Sequence, residues 1–201
     1  YALAGTTLAG LAQTARQAGL AGMEFAGGIP GAVGGGVTMN AGAYGGEISQ
    51  VCDRVEVMDR QGNSRWLRNA EMGFSYRHSV LETSDDLVIA AEFTLTPAEP
   101  EAIKARMKEL IGKRSASQPL NLPSAGSAFK RPKGGYAAAL IDQAGLKGFR
   151  VGNAGISDKH AGFAVNLGGA TAKDMKELLQ TVSDRVYEQS GIRLEPEIRI
   201  W

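Results

Sequence analysis

Gly27–Gly46 reads GGIPGAVGGGVTMNAGAYGG, and nine of its twenty residues are glycine. Glycine alone visits positive φ without steric penalty and lets another group approach the backbone closely. A compact core rarely needs so many such positions together, whereas a diphosphate cradled by backbone N–H groups does. A flexible linker is the bland alternative. Pro30, Val33, Val37, Met39 and Tyr44 argue against it, because they give the run shape and apolar anchors that linkers lack. The run is not the G-x-G-x-x-G dinucleotide fingerprint, since a preceding strand and a complete βαβ unit are missing. A nucleotide held here is held by another fold.

Outward from that stretch the chain is ordinary in composition. Its 201 residues allow one large or two small domains. A net charge of +1 gives no argument for nucleic acid or an acidic membrane surface. The single cysteine, Cys52, excludes an internal disulfide framework, and its apolar surroundings suit a buried, inert thiol. No run approaches the ~18 apolar residues of a membrane span. No His, Cys, Asp and Glu cluster has metal-ligand spacing, so no metal is expected. A cytoplasmic protein is expected.

The periodicities predict an α+β layout. Thr6 and Thr7 are cap candidates for a helix over 8–18, with Gly19 as its stop. Strands are expected over 51–58, with Val55 and Val57 on one face, over 64–67, and over 87–95. Asn69 is expected to cap one helical turn. Pro97 and Pro100 break the chain, and a domain boundary is placed at 97/98. Beyond it the spacing predicts a helix over 101–113, a polar loop over 115–126, a helix over 136–144 and a strand over 161–167. Thr171 and Asp174 form a capping box, so a helix is expected from there to about 189, ended by Gly191. A final strand is expected over 193–201.

GIPGAVGG followed by MNAGAYGG closely resembles the flavin-binding segment of the bacterial UDP-N-acetylenolpyruvoylglucosamine reductases, the MurB family of peptidoglycan synthesis. Three further motifs match in the same order: FSYRHS at 74–79, PSAGSAFK at 123–130 and LEPEIR at 194–199. The run from Leu146 to Phe163 is also similar to that family. Any one motif is weak; four in order over nearly the whole chain are specific. The resemblance implies the later part of a vanillyl-alcohol-oxidase/PCMH-type FAD-binding domain over 1–97, followed by an α+β substrate-binding domain over 98–201. The chain opens on Tyr1, partway into the family's flavin domain, so an N-terminal truncation is expected.

The resemblance also implies the chemistry. FAD and NADPH are the expected cofactors, a UDP-sugar enolpyruvyl ether the substrate, and a monomer the expected state. Arg77 alone reads as a surface arginine; its planar fork can also hold a carboxylate by two hydrogen bonds. The family motif gives it that role on the enolpyruvyl carboxylate, with Tyr76 orienting the substrate. Ser127 alone reads as a turn residue, and no Ser-His-Asp arrangement is evident. The resemblance makes it the general acid that protonates C2 of an enolate, a carbanion basic enough for a serine to protonate. Ser124 is a decoy nearby. Glu197 is assigned to enolate stabilisation, either protonated or paired with Arg77 in the complex, and Glu195 to structure. Lys130 is a candidate substrate ligand. Arg131 stands where many relatives carry asparagine, and either serves a diphosphate or is solvated. Gly28, Ile29, Pro30, Gly31, Gly34, Gly35, Asn40 and Ala41 are the candidate cofactor-binding residues, the last two at the isoalloxazine edge. His160 is read as a structural histidine. A different flavin oxidoreductase and a non-catalytic remnant remain as other classes. The YR (76–77), AGS (125–127) and PE (196–197) motifs argue against the first.

Overall fold

The computed structural model describes residues 1–200 and divides into two compact units, one ending at Arg114 and the next beginning at Ser115. In chain order the first unit holds β1 (Ala2–Leu3), α1 (Leu8–Gln17), β2 (Leu20–Ala21), α2 (Val33–Thr38), β3 (Gly42–Ala43), β4 (Gly46–Glu47), β5 (Cys52–Met58), β6 (Ser64–Arg68), β7 (Leu87–Phe93) and β8 (Thr96–Pro97). Helix α3 spans Pro100–Ser117. The second unit holds β9 (Ser124–Ser127), α4 (Ala137–Gln143), β10 (Arg150–Val151), β11 (Ala154–Ile156), β12 (Phe163–Asn166) and α5 (Ala172–Ser190).

The first unit is built on an antiparallel sheet of order β1-β7-β5-β6. Val55 and Val57 lie on one face of β5 and are fully buried. Burying each contributes roughly 1.5 kcal/mol or more over leaving it exposed. Cys52 reaches the same core although it stands three residues from Val55, because a bulge shifts the β5–β7 register between Cys52 and Arg54. Burial pushes its thiol up to about 12, with Asp53 adding to the effect, so it stays protonated and inert. Helix α1 starts where Thr7 Oγ1 accepts the Gly10 N–H at 3.1 Å, and it buries Leu8, Ala12 and Ala15. Asn69 does not cap the expected turn: Arg68 takes the cap position and its N–H donates to Glu71 at 2.8 Å, while Asn69 is the first residue of a 3-10 turn and ties it down through Nδ2, which donates to the carbonyls of Ser49 and Cys52.

The units part later than the boundary expected at 97/98. Ile103 and Met107 of α3 are buried in the first unit's core, so that helix continues the first unit instead of opening the second. The helix is also longer than the expected 101–113.

The second unit is an antiparallel sheet of order β10-β11-β12-β9, with α4 and α5 packed on its core. Leu178, Leu179, Val182 and Val186 of α5 meet Ile141, Leu146 and Ile156 there. The capping box forms as expected. Thr171 Oγ1 accepts the Asp174 N–H, and Asp174 accepts the Thr171 N–H at 2.9 Å, which holds its carboxyl below the usual range. Gly191 ends the helix at φ 71°.

Two expectations in this unit are corrected. The end of the expected 115–126 loop is strand β9, paired with β12. The final strand over 193–201 does not form among the described residues, and Trp201 lies outside them. Only a single bridge, Phe129 to Pro196, forms, flanked by Lys130 N–H to Glu195 O and Glu197 N–H to Ala128 O, both at 2.9 Å. Pro196 has no N–H to extend a ladder.

Candidate functional site

In the first unit the marked residues gather at two tight turns. Tyr44 and Gly45 join β3 to β4 with positive φ at both, the backbone of a type I′ hairpin. Ser75 and His78 exchange backbone hydrogen bonds of 3.1 and 3.2 Å and close a second hairpin, with Tyr76 and Arg77 at its tip. Among the described residues, the non-glycine residues with positive φ are Asn40 (42°), Tyr44 (54°) and Arg77 (54°), and all three lie here. Each such residue costs of order 1 kcal/mol or more and persists only where its surroundings dictate it.

Those surroundings are buried polar side chains. Asn40 is 1% exposed; its Nδ2 donates to Ser75 O at 3.1 Å and its Oδ1 accepts the Ser49 N–H at 2.9 Å. Ser79 is fully buried, and its hydroxyl donates to Thr38 O at 2.7 Å. Arg77 donates from Nη2 to Gly42 O at 3.2 Å, and its guanidinium lies 5.0 Å from the centre of the Tyr76 ring. His78 Nδ1 pairs with Glu82 at 2.6 Å.

The glycine segment sorts into packed and open positions. Its three consecutive glycines belong to helix α2. A Cβ on Gly36 would stand 3.1 Å from Leu8, and one on Gly34 3.2 Å from Ala4. Gly46 would place a Cβ 2.6 Å from Phe25, and Gly42 one 2.8 Å from the Gly46 carbonyl. A Cβ on Gly28 would stand 3.2 Å from Cδ of Arg114. Only at Gly31, Gly35 and Gly45 of this segment would an added Cβ meet no atom within 4 Å, and Gly45 is accounted for by its turn. Gly31 and Gly35 are exposed, and Gly31 has φ 148°. Pro30 is exposed and Ile29 half-buried against the core.

Three of the candidate cofactor residues have donors engaged within the chain. The Gly34 N–H donates to Ala4 O at 2.9 Å and the Ala41 N–H to Gly36 O at 2.8 Å. Asn40 has its amide bonded within the chain at both ends. The sequence reading also missed Ser79, although it lies in the same FSYRHS motif. A buried serine and an exposed one look alike in a sequence, and only the i,i+4 spacing of His78 and Glu82 was there to be read.

In the second unit Ser127 ends β9 opposite Phe163 and is exposed. The next residue, Ala128, donates its N–H to Gly162 O at 2.8 Å and accepts that of Glu197. Ser127 and Glu197 are thereby brought onto neighbouring backbone. The other serine of the motif, Ser124, gives its hydroxyl to Ala164 O at 2.8 Å. Lys130 forms an ion pair with Glu195 beside the same bridge. The Arg131 guanidinium stacks 4.0 Å above the Tyr136 ring. His160 accepts the Gly162 N–H at Nδ1, 3.0 Å, and sets its ring edge-on against Phe163. Burial lowers its pKa, as suits a neutral acceptor. Among the described residues no three His, Cys, Asp or Glu side chains come together as a metal site, and no helix is long and apolar enough to cross a membrane.

The unit of short elements around the glycine segment and the α+β unit that follows it each match a known domain, and together they define a flavin-domain protein with a second domain. Residues 2–68 match the family model of the FAD binding domain. Residues 118–201 match that of the UDP-N-acetylenolpyruvoylglucosamine reductase C-terminal domain. The chain is 50% identical over 197 residues to the UDP-N-acetylenolpyruvoylglucosamine reductase of Levilactobacillus brevis, covering 98% of this chain and 65% of that one. It is 49% identical to the same-named reductase of Pediococcus pentosaceus, over 98% and 66% of the two chains. The crystal structure of that reductase (MurB) from Thermus caldophilus superposes with TM-score 0.85 at 42% identity, covering 98% of this chain and 71% of that one. The chain belongs to the UDP-N-acetylenolpyruvoylglucosamine reductase (MurB) family. It spans about 65% of the length of the first curated relatives it matches. Its fold is α+β, with an FAD-binding domain portion of the PCMH type ahead of the family's C-terminal domain.

Proposed function

We propose that the protein is a cytoplasmic, monomeric flavoenzyme that reduces UDP-N-acetylglucosamine enolpyruvate to UDP-N-acetylmuramate with NADPH, a step of peptidoglycan precursor synthesis. The observation that supports this most is the Arg77 turn, held beside the glycine segment by buried hydrogen bonds. The residues present fit FAD. Exposed Gly31 and Gly35 leave the backbone open where a Cβ would otherwise stand, and Gly28, Ile29 and Pro30 lead into that open stretch. FAD, when bound, supplies the hydride that NADPH provides and that C3 of the enolpyruvyl group receives.

The chain's own residues do the rest. The Arg77 fork holds the enolpyruvyl carboxylate and stabilises the negative charge that develops on it. Tyr76, under that guanidinium, orients the substrate. Ser127 gives its hydroxyl proton to C2 of the enolate. Ser124 cannot take this part, since its hydroxyl is engaged with Ala164. Glu197, protonated or paired with a cation, assists at the carboxylate. Lys130 meets the substrate phosphates only by exchanging its Glu195 partner for them.

The test is a visible spectrum of the protein reduced anaerobically with NADPH in the presence of FAD, followed by addition of the enolpyruvyl substrate. Return of the oxidised-flavin band is expected. A flavin that binds and is reduced but stays reduced would overturn the substrate assignment.

A further inference from the structure

We infer that Ser79 and Asn40 are positioning residues for Arg77: from the buried side of the glycine segment they fix the turn that presents its guanidinium. The inference rests on the role proposed for Arg77 and adds to it two residues that do not touch substrate.

A two-residue hairpin fixes its own closure but not its placement. The Ser75–His78 bonds close the turn, and they would close it equally well anywhere. Placement comes from outside. Asn40 grips the turn where it begins, at the Ser75 carbonyl, and Ser79 grips it where it ends, through the Thr38 carbonyl. Both grips, and the Gly42 carbonyl that accepts from Arg77, come from the short run 38–42. The turn therefore moves with the glycine segment.

The chemistry of each residue suits the task. Asn40 stands at φ 42°, where asparagine is among the few side chains tolerated. It uses its amide as donor toward Ser75 and as acceptor from Ser49, so an aspartate keeps only one of these bonds and an alanine neither. Ser79 caps the last carbonyl of α2, a group that a helix end leaves without an internal partner. A bidentate hold on a carboxylate tolerates only a few tenths of an ångström of misplacement, so a loosened turn loses it while the guanidinium is still present.

The experiment follows both half-reactions of the FAD-loaded protein by stopped flow. It uses wild type, Ser79→Ala, Arg77→Ala and the double variant. Expected for Ser79→Ala is about a tenfold slower reoxidation of reduced flavin by the enolpyruvyl substrate, the size of one lost buried hydrogen bond, with reduction by NADPH unchanged within about twofold. In the Arg77→Ala background the same substitution should have no further effect. Amide hydrogen exchange should rise over 75–80 in Ser79→Ala and stay unchanged in α1. Additive losses in the double variant, or equal losses in both half-reactions, would overturn the positioning role and leave the reductase reading intact. A wild-type flavin that substrate never reoxidises would overturn both. If Ser79→Ala does not fold, Ser79→Cys, which keeps a weak donor, carries the same comparison, with an intermediate rate expected.

Discussion

Arg77 rests on a strained turn gripped by buried side chains, whereas Ser127 ends a strand and is placed by backbone hydrogen bonds on exposed ground. The difference decides how each region responds to change. A ladder of main-chain N–H and C=O groups survives the replacement of almost any side chain around it. A side-chain grip is lost with one substitution, and it leaves a buried partner unsatisfied at about 1–3 kcal/mol. The first unit should therefore be sensitive at residues that never meet substrate, and the second chiefly at the reacting groups.

The largest effect expected is on Ser127 itself. Ser127→Ala should slow reoxidation of the flavin by the enolpyruvyl substrate by about a hundredfold or more, with reduction by NADPH nearly intact and the melting temperature unmoved. If both half-reactions fell together, Ser127 would be placing something other than a proton.

Next comes a pair of glycines that sharpens the contrast within the first unit. Gly46→Ala forces a Cβ to within 2.6 Å of buried Phe25 and should destabilise the protein by about 2 kcal/mol in thermal unfolding. Gly35→Ala meets no atom within 4 Å and lies in a helix, so stability should hold or rise by up to ~1 kcal/mol. Its FAD affinity, measured by flavin fluorescence titration, should nevertheless fall. An unchanged affinity would remove Gly35 from the cofactor site.

A smaller effect is expected at the Lys130–Glu195 pair. Both side chains are substantially exposed, so Glu195→Ala should cost less than about 1 kcal/mol of stability. A large loss would mean that the second unit, too, depends on a side-chain grip.

The smallest effect concerns pH. Burial holds the His160 pKa below its unfolded value, so the unfolded chain binds the proton more readily. Stability should then fall on acidification through the unfolded imidazole range, about pH 6.5, and level off below the lowered native value. Protonation also removes the acceptor for the Gly162 N–H. His160→Gln should flatten this part of the melting temperature against pH; an unaltered profile would show that another group carries it.

Much of this was legible without coordinates. Thr6 and Thr7 both read as cap candidates, of which Thr7 is the cap, and Thr171 reads as a cap and is, because a cap is a local hydrogen bond between residues three apart. Val55 and Val57 read as one strand face because alternation is also local, and that face is buried. The bulge at Cys52 was not legible, since it depends on what β7 presents opposite. The failed strand over the last residues has a cause in plain view, Pro196, but whether one bridge or a ladder forms depends on Phe129, far away in sequence.

The sequence by itself determined the family and the α+β class, because motifs and periodicities are properties of neighbouring residues. Tertiary structure alone decided which members of those motifs have their donors engaged within the chain. Gly34, Ala41 and Asn40 have their donors engaged within the chain, while Gly31 and Gly35 stay open. That division depends on Ala4, Gly36 and Ser75, partners brought near by the sheet and the turns. A hydrogen-bonding group takes whichever partner folding places within about 3 Å of it, and no spacing along the chain records that choice.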